Sequence, residues 1–263
     1  MNTRLPSDQT AGHTVFDPSR SSTYKDLESY TFNITYGDNS YSYGGVGKDT
    51  VEIGGASVTE QAVGIPTEVS SYFTDTKYSN GLVGLGFSSL SMVQPKQQKT
   101  FFENLADSLD EPVFTALLKT NGVGEYEFGR IDHTKYLGSL VNVSVDSSAG
   151  FWQFESKLFS VAGSPFEQIT TAPTSIVDSG TSLMLVSPEV AGAYYAQVAG
   201  ASFSTAMGGY IFPCQSQLPD FSIAIGPSYL ATVPGSYINY SGAGQNTTTG
   251  EDSKLRLSLT LQS

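Results

Sequence analysis

Apolar and polar residues alternate along this chain in many short runs, and a period of two suits a strand with one buried face. Phe32, Ile34 and Tyr36 fall on one side of such a run, with Thr31, Asn33 and Thr35 on the other. Val141, Val143 and Val145 repeat the pattern, as do Phe221, Ile223 and Ile225. Gly37-Asp38-Asn39-Ser40 follows the first run and reads as a turn, because Gly and Asn tolerate the left-handed backbone region. Val51 and Ile53 run into Gly54-Gly55, which predicts a hairpin. Helical spacing appears in two places. Thr100 to Glu103 forms a capping box ahead of Leu105, Ala106 and Leu109. Ser187 precedes Pro188 at a first helical position, Val190, Ala193, Tyr194 and Val198 follow, and Gly200 offers a stop. Strands outnumber helices, so the expected class is all-β with a few short helices. No tandem repeat is evident.

The 263 residues suffice for one large β-rich domain or two lobes. Lys and Arg number 13 against 25 Asp and Glu, a balance of −12, with no cationic cluster to neutralise phosphates. Nucleic acid and anionic membranes are therefore not expected partners. Charged residues make up 14%, against roughly 25% in an average domain. Few groups then change charge as the pH falls, which suits an acid-tolerant secreted protein. The single cysteine, Cys214, makes no disulfide within the chain. Met1 to Thr10 lacks a signal-peptide pattern, and no apolar run approaches membrane-spanning length. Four glycosylation sequons, at Asn33, Asn142, Asn239 and Asn246, agree with a secretory parent. A secreted style without a leader leads to the expectation of an incomplete chain. Ser241 to Ser253 reads as a polar linker or tail. Beyond it Leu255, Leu257, Leu259 and Leu261 alternate with polar residues, which fits an amphipathic strand or a sequence of accidental origin.

Several chemistries are not supported. His13 and His133 stand outside any H-E-x-x-H pattern, and with one cysteine a zinc site is not expected. A G-x-S-x-G nucleophile elbow is missing. Asp132-His133 reads as a surface loop pair. Gly81, Gly84 and Gly86 lack the helix signal and the Lys-Ser/Thr of a phosphate loop. The informative segment is Ile176-Val177-Asp178-Ser179-Gly180-Thr181-Ser182. Two apolar residues end a strand, and an acid enters a tight turn rich in N–H and hydroxyl donors. Such donors keep a carboxylate ionisable; a strand-ending Asx turn has the same composition.

That heptad resembles the second active-site motif of the pepsin-like aspartic proteases, and other pieces match in family order. Phe16-Asp17-Pro18-Ser19 with Ser21-Ser22-Thr23 resembles an early loop, and Ile34 to Asp38 the strand and tip of the flap hairpin. Gly81-Leu82-Val83-Gly84-Leu85-Gly86 resembles the loop that supports the first catalytic turn, and Tyr126 to Asp132 a central interlobe strand. Gly209 to Cys214, Leu218 to Phe221 and Ala231 to Pro234 continue the likeness to about Tyr240, closest in style to secreted fungal members.

The resemblance implies a bilobal all-β fold. Its N-terminal lobe would be residues 1–133, its C-terminal lobe 134–240, and 241–263 a divergent tail. It implies an acid endopeptidase acting on peptide or protein substrates without cofactor or metal, in a secreted parent. Two aspartates, one per lobe, would share a proton, because like charges so close cannot both ionise. Asp178 matches one of them. Ser179, Gly180 and Thr181 match its supporting turn, and Tyr36, Gly37 and Asp38 match the flap over the substrate. A second D-[ST]-G triplet does not occur. The expectation is therefore a chain truncated at both ends and inactive alone. The alternatives are a non-catalytic peptide-binding relative or a truncated gene product. Cys214 would be a disulfide half in the family; here it is expected as a free thiol or an intermolecular link.

Overall fold

The computed structural model describes residues 1–119, 123–181, 183–239, 244–245 and 252–256, the last two stretches as backbone. Its chain divides into two units. Unit 1 comprises Met1–Ser139 and Ser148–Phe151, and unit 2 comprises Leu140–Ser147 and Trp152–Ser263. Strands dominate both, and the all-β reading holds.

In unit 1, β1 (Lys25–Thr35), β2 (Tyr41–Ile53), β3 (Ala56–Val69) and β4 (Val93–Gln94) form one antiparallel sheet in the order β3-β2-β1-β4. The β2–β3 hairpin closes Ile53 against Ala56 through Gly54 (φ 61°) and Gly55 (φ 86°), where a two-residue turn needs positive φ twice. A separate ribbon pairs β5 (Phe114–Leu117) with β6 (Glu125–Phe128). Val58, Phe101 and Leu105 are buried together, with Val51, Ile53, Leu109 and Phe128 against them.

The capping box is half kept. Thr100 Oγ1 accepts the Glu103 N–H at 3.2 Å, and a helix runs Phe101–Leu105. The Thr100 N–H goes to Ser88 Oγ at 3.3 Å, while the Glu103 carboxylate takes the Ser88 N–H at 2.8 Å and its hydroxyl. The helix tightens to a 3₁₀ turn at Ala106–Ser108, so Leu109 reaches the core from beyond it.

Asp49 is a buried carboxylate on β2. Burial pushes its pKa up, but hydrogen bonds from the Thr23 and Ser21 hydroxyls and the Thr50 N–H prevail and hold it below the usual carboxylate range. A lowered folded-state pKa contributes stability that is complete above the unfolded value and lost as pH falls through the folded one. Acid unfolding of unit 1 should therefore have a component below the ordinary Asp range, near 3.8. Asp49→Asn is expected to lower stability at neutral pH and to flatten that acid limb. Denaturant midpoints measured across pH check both effects.

In unit 2 the strands are β7 (Gln153–Glu155), β8 (Leu158–Val161), β9 (Glu167–Gln168), β10 (Thr174–Ile176), β11 (Ser202–Ser204), β12 (Gly209–Pro213), β13 (Phe221–Ile225), β14 (Tyr229–Val233), β15 (Gly244–Gln245) and β16 (Asp252–Arg256). They form sheets ordered β14-β13-β8-β9 and β11-β12-β16-β15, plus the pair β10-β7. A helix, Pro188–Tyr195, starts as its sequence predicts, with Ser187 Oγ accepting the Val190 N–H at 3.4 Å. Gly200 takes φ 76° where the chain turns away. The helix presents Val190, Ala191, Tyr194 and Tyr195 to a core of Phe159, Val161, Phe212, Phe221 and Ile238.

Three expectations need correction. Val141 to Val145 is not a strand. Alternation alone does not make a ladder, and the bridge to Gln153 comes only at the next residue, Asp146. Val143 instead fills the space a side chain at Gly226 would occupy, 2.7 Å from that position. Phe221 to Ile225 is a strand, but Phe221 and Ala224 are both buried. Its two faces are covered, so simple alternation fails there. Within the supposed linker, Gly244–Gln245 pairs with Asp252–Ser253, and β16 continues antiparallel to β12 with Leu255 opposite Ile211. Leu257, Leu259 and Leu261 lie outside the described residues. Cys214 is a free thiol.

Gly235 begins the short helix Gly235–Ile238, and its N–H bonds Asp220 Oδ1 at 2.9 Å. A Cβ there would sit 1.9 Å from the Leu218 carbonyl oxygen and 2.9 Å from that of Pro219. Gly235→Ala must displace backbone and is expected to cost about 1–3 kcal/mol, read from the shift in denaturant midpoint.

Candidate active site

The site in unit 2 starts from a strand too short to continue. β10 pairs with β7 through Thr174–Glu155, Ser175–Phe154 and Ile176–Gln153, and the Val177 N–H then bonds the Trp152 carbonyl at 3.1 Å. Past that point the chain turns. Asp178 closes the turn on itself: its Oδ1 accepts the Gly180 N–H at 2.8 Å, and its Oδ2 accepts the Thr181 hydroxyl at 2.6 Å. Each carboxylate oxygen thus takes one donor, from Gly180 or Thr181, while the group stays exposed to solvent. A Cβ at Gly180 would crowd Asp178 Oδ1 at 3.1 Å, so glycine leaves that carboxylate oxygen room. Ser179 is exposed beside it. A carboxylate held by two such donors is oriented. Apolar residues reach solvent here too, with Val177 69% exposed.

The second cluster belongs to unit 1 and lies at the end of β1. Phe32 is buried, Ile34 and Tyr36 are half-buried, and Thr31, Asn33 and Thr35 are exposed, as the alternation predicts. Tyr36 and Ser40 close the hairpin, with the Tyr36 N–H on the Ser40 carbonyl at 2.8 Å and the Asn39 N–H on the Tyr36 carbonyl at 2.9 Å. Asn39 takes φ 65°, which Asn tolerates. Asp38 Oδ1 accepts the Ser40 N–H at 2.9 Å, and hydrogen bonding from Ser40 holds its pKa low. Gly37 has open space on its side-chain side. Burial pushes the Tyr36 phenol up. Its ring packs edge-on against Phe73 at 5.6 Å, a contact the sequence reading missed. Beneath this hairpin lies a cavity of about 620 Å³, lined by Tyr36, Ile34, Phe73, Leu82 and Val83 among others. The Leu82-Val83 loop is open, with Leu82 64% exposed.

The sequence-predicted residues thus form two groups, each in its own unit. Asp178, Gly180 and Thr181 make one hydrogen-bonded turn with Ser179 between them, and Tyr36, Gly37 and Asp38 make one hairpin tip. Among the described residues, no group of three His, Cys, Asp or Glu side chains is placed to hold a metal ion, and no helix is long and apolar enough to cross a membrane.

The family description of eukaryotic aspartyl proteases matches residues 1–251, and the chain belongs to that family. It is 59% identical over 251 residues to a protein named an aspergillopepsin A-like aspartic endopeptidase in Aspergillus fumigatus, an alignment covering 95% of this chain and 59% of that protein. It is 50% identical over 254 residues to the aspartic protease PEP3 of Coccidioides posadasii, covering 96% and 57%. Against penicillopepsin-1 of Penicillium janthinellum it is 44% identical over 248 residues, covering 94% and 75%. The chain therefore spans about six-tenths of the length of the first two of these relatives.

Proposed function

We propose that this chain carries part of the machinery of a pepsin-type acid endopeptidase, with Asp178 as a catalytic carboxylate and peptide or protein as substrate. The observation that supports this best is the Asp178 turn, in which Gly180 N–H and the Thr181 hydroxyl each hold one carboxylate oxygen of an exposed acid. In this reading Ser179, Gly180 and Thr181 orient the acid, and Tyr36, Gly37 and Asp38 form the flap over the substrate. Residues 1–133 and 134–240 are the two lobes, and 241–263 a tail. The four sequons favour a secretory route for the parent.

The chemistry needs two acids. One carboxylate takes a proton from water as that water attacks the scissile carbonyl, and a protonated second acid polarises the carbonyl oxygen and later protonates the leaving amine. A pair close enough to share a proton holds one acid and one base at the same pH. The 263 residues contain one D-[ST]-G triplet. We therefore read the isolated polypeptide as hydrolytically inactive. A second reading, a non-catalytic peptide binder, draws on the apolar cavity beneath Tyr36.

A graft tests the role of Asp178. Segment 174–186 replaces its counterpart in penicillopepsin-1. The hybrid is expected to hydrolyse denatured protein at acid pH, to be blocked by a statine-type peptide, and to lose activity on Asp178→Asn. A hybrid indifferent to that substitution contradicts the assignment.

A further inference from the structure

One sequon sits on the flap strand, and nothing in the acid chemistry uses it. Asn33-Ile34-Thr35 lies within β1, with Asn33 and Thr35 exposed on the outer face of the hairpin. The register places Asn33 directly opposite Tyr43 and Thr35 opposite Tyr41, so their side chains share that face. The two tyrosine rings stack at 6.1 Å with an interplanar angle of 14°. Both hydroxyls donate to Glu68, Tyr41 at 3.1 Å, which fixes the rings in place. Tyr43 is 37% exposed. Gly45, the next β2 residue on this face and opposite Thr31, leaves the neighbouring space open. The result is a rigid aromatic surface beside an exposed acceptor asparagine. The C–H face of a sugar ring matches such a surface, because a flat aromatic buries apolar area without losing much side-chain freedom. The other sequons offer less. Asn142 lies in a segment outside any strand, and those at Asn239 and Asn246 run into residues that are not described.

We propose that Asn33 is an N-glycosylation site whose first sugar packs on Tyr43. This rests on the secretory reading above. The co-substrate is a lipid-pyrophosphate-linked oligosaccharide. The Asn33 amide nitrogen attacks the anomeric carbon of its first N-acetylglucosamine and loses a proton to a base of the transferring enzyme. The new N–C bond replaces the sugar–phosphate C–O bond, and the lipid pyrophosphate leaves. The glycan stands on the outer face, away from the Phe32, Ile34 and Tyr36 side, so it stiffens the flap hairpin without filling the cavity beneath it.

The full chain, secreted from a fungal host behind a cleavable leader, is treated with peptide N-glycosidase in heavy-oxygen water and mapped by mass spectrometry. Heavy-oxygen-labelled Asp is expected at position 33 and lost in Thr35→Ala and in Asn33→Gln. Removing the glycan is expected to lower the melting midpoint, and Tyr43→Ala or Tyr43→Ser to shrink that difference. Unlabelled position 33 with label at Asn142 or Asn239 overturns the proposal and leaves the secretory reading standing. No label at any sequon overturns both. A melting difference unchanged in both Tyr43 variants overturns the packing on Tyr43.

Discussion

Tyr194→Ala is expected to destabilise unit 2 by about 3–5 kcal/mol, the range for removing a large buried aromatic. Tyr194 is fully buried on the helix Pro188–Tyr195. Its ring meets Phe221 edge-on at 6.0 Å and Tyr195 at 5.0 Å, and its hydroxyl donates to the Pro219 carbonyl at 2.8 Å. Burial raises its pKa well above that of a free phenol, so the hydroxyl stays protonated and keeps donating. Truncation removes the ring, opens a cavity between helix and sheet, and leaves the Pro219 carbonyl without that donor. Against a total of about 5–15 kcal/mol this is a large fraction. Tyr194→Phe isolates the hydrogen bond and should cost about 1 kcal/mol. Denaturant melts followed by aromatic circular dichroism separate the two variants. Equal costs would mean that the hydroxyl, and not the ring, holds the helix.

Asp178→Asn in the penicillopepsin hybrid is expected to reduce kcat by about 10³-fold or more, at the upper end of what a positioned acid or base supplies. The substitution is nearly isosteric. The amide oxygen can still accept the Gly180 N–H, so the turn and the fold should survive. The lost property is proton exchange, since an amide neither takes a proton from water nor shares one with a facing carboxylate. KM should therefore move little while kcat collapses, the pattern of an interaction made in the transition state. A parallel rise in KM would indicate a binding role for the turn instead.

Much of this was legible in the sequence, for a local reason. The run Thr31 to Tyr36 alternates, the hairpin needs Gly54-Gly55, and the Ser187-Pro188 start is read from neighbouring residues. Each signal concerns contacts within a few positions, and each appears as expected. The Asp178 turn was visible for the same reason, because its donors, Gly180 and Thr181, stand two and three positions on. Long-range partners were not. Val141 to Val145 alternates as well as β1 does but stays outside any strand, since strand formation depends on what lies alongside. Glu103 belongs to a capping box on paper, yet a serine 15 positions away takes its carboxylate. Phe73 against Tyr36 and Tyr43 against Asn33 arise from sheet register and chain reversal, which short motifs do not encode.

The central proposal is that hydrolysis requires a second carboxylate facing Asp178, and the 263 residues contain a single D-[ST]-G triplet. The most direct measurement is the rate of peptide-bond cleavage by the purified chain on an acid-denatured protein, over a range of chain concentrations and with a statine-type inhibitor as control. The account predicts a rate equal to that of the Asp178→Asn variant at every concentration. Statine-sensitive cleavage that disappears with Asp178→Asn would contradict it.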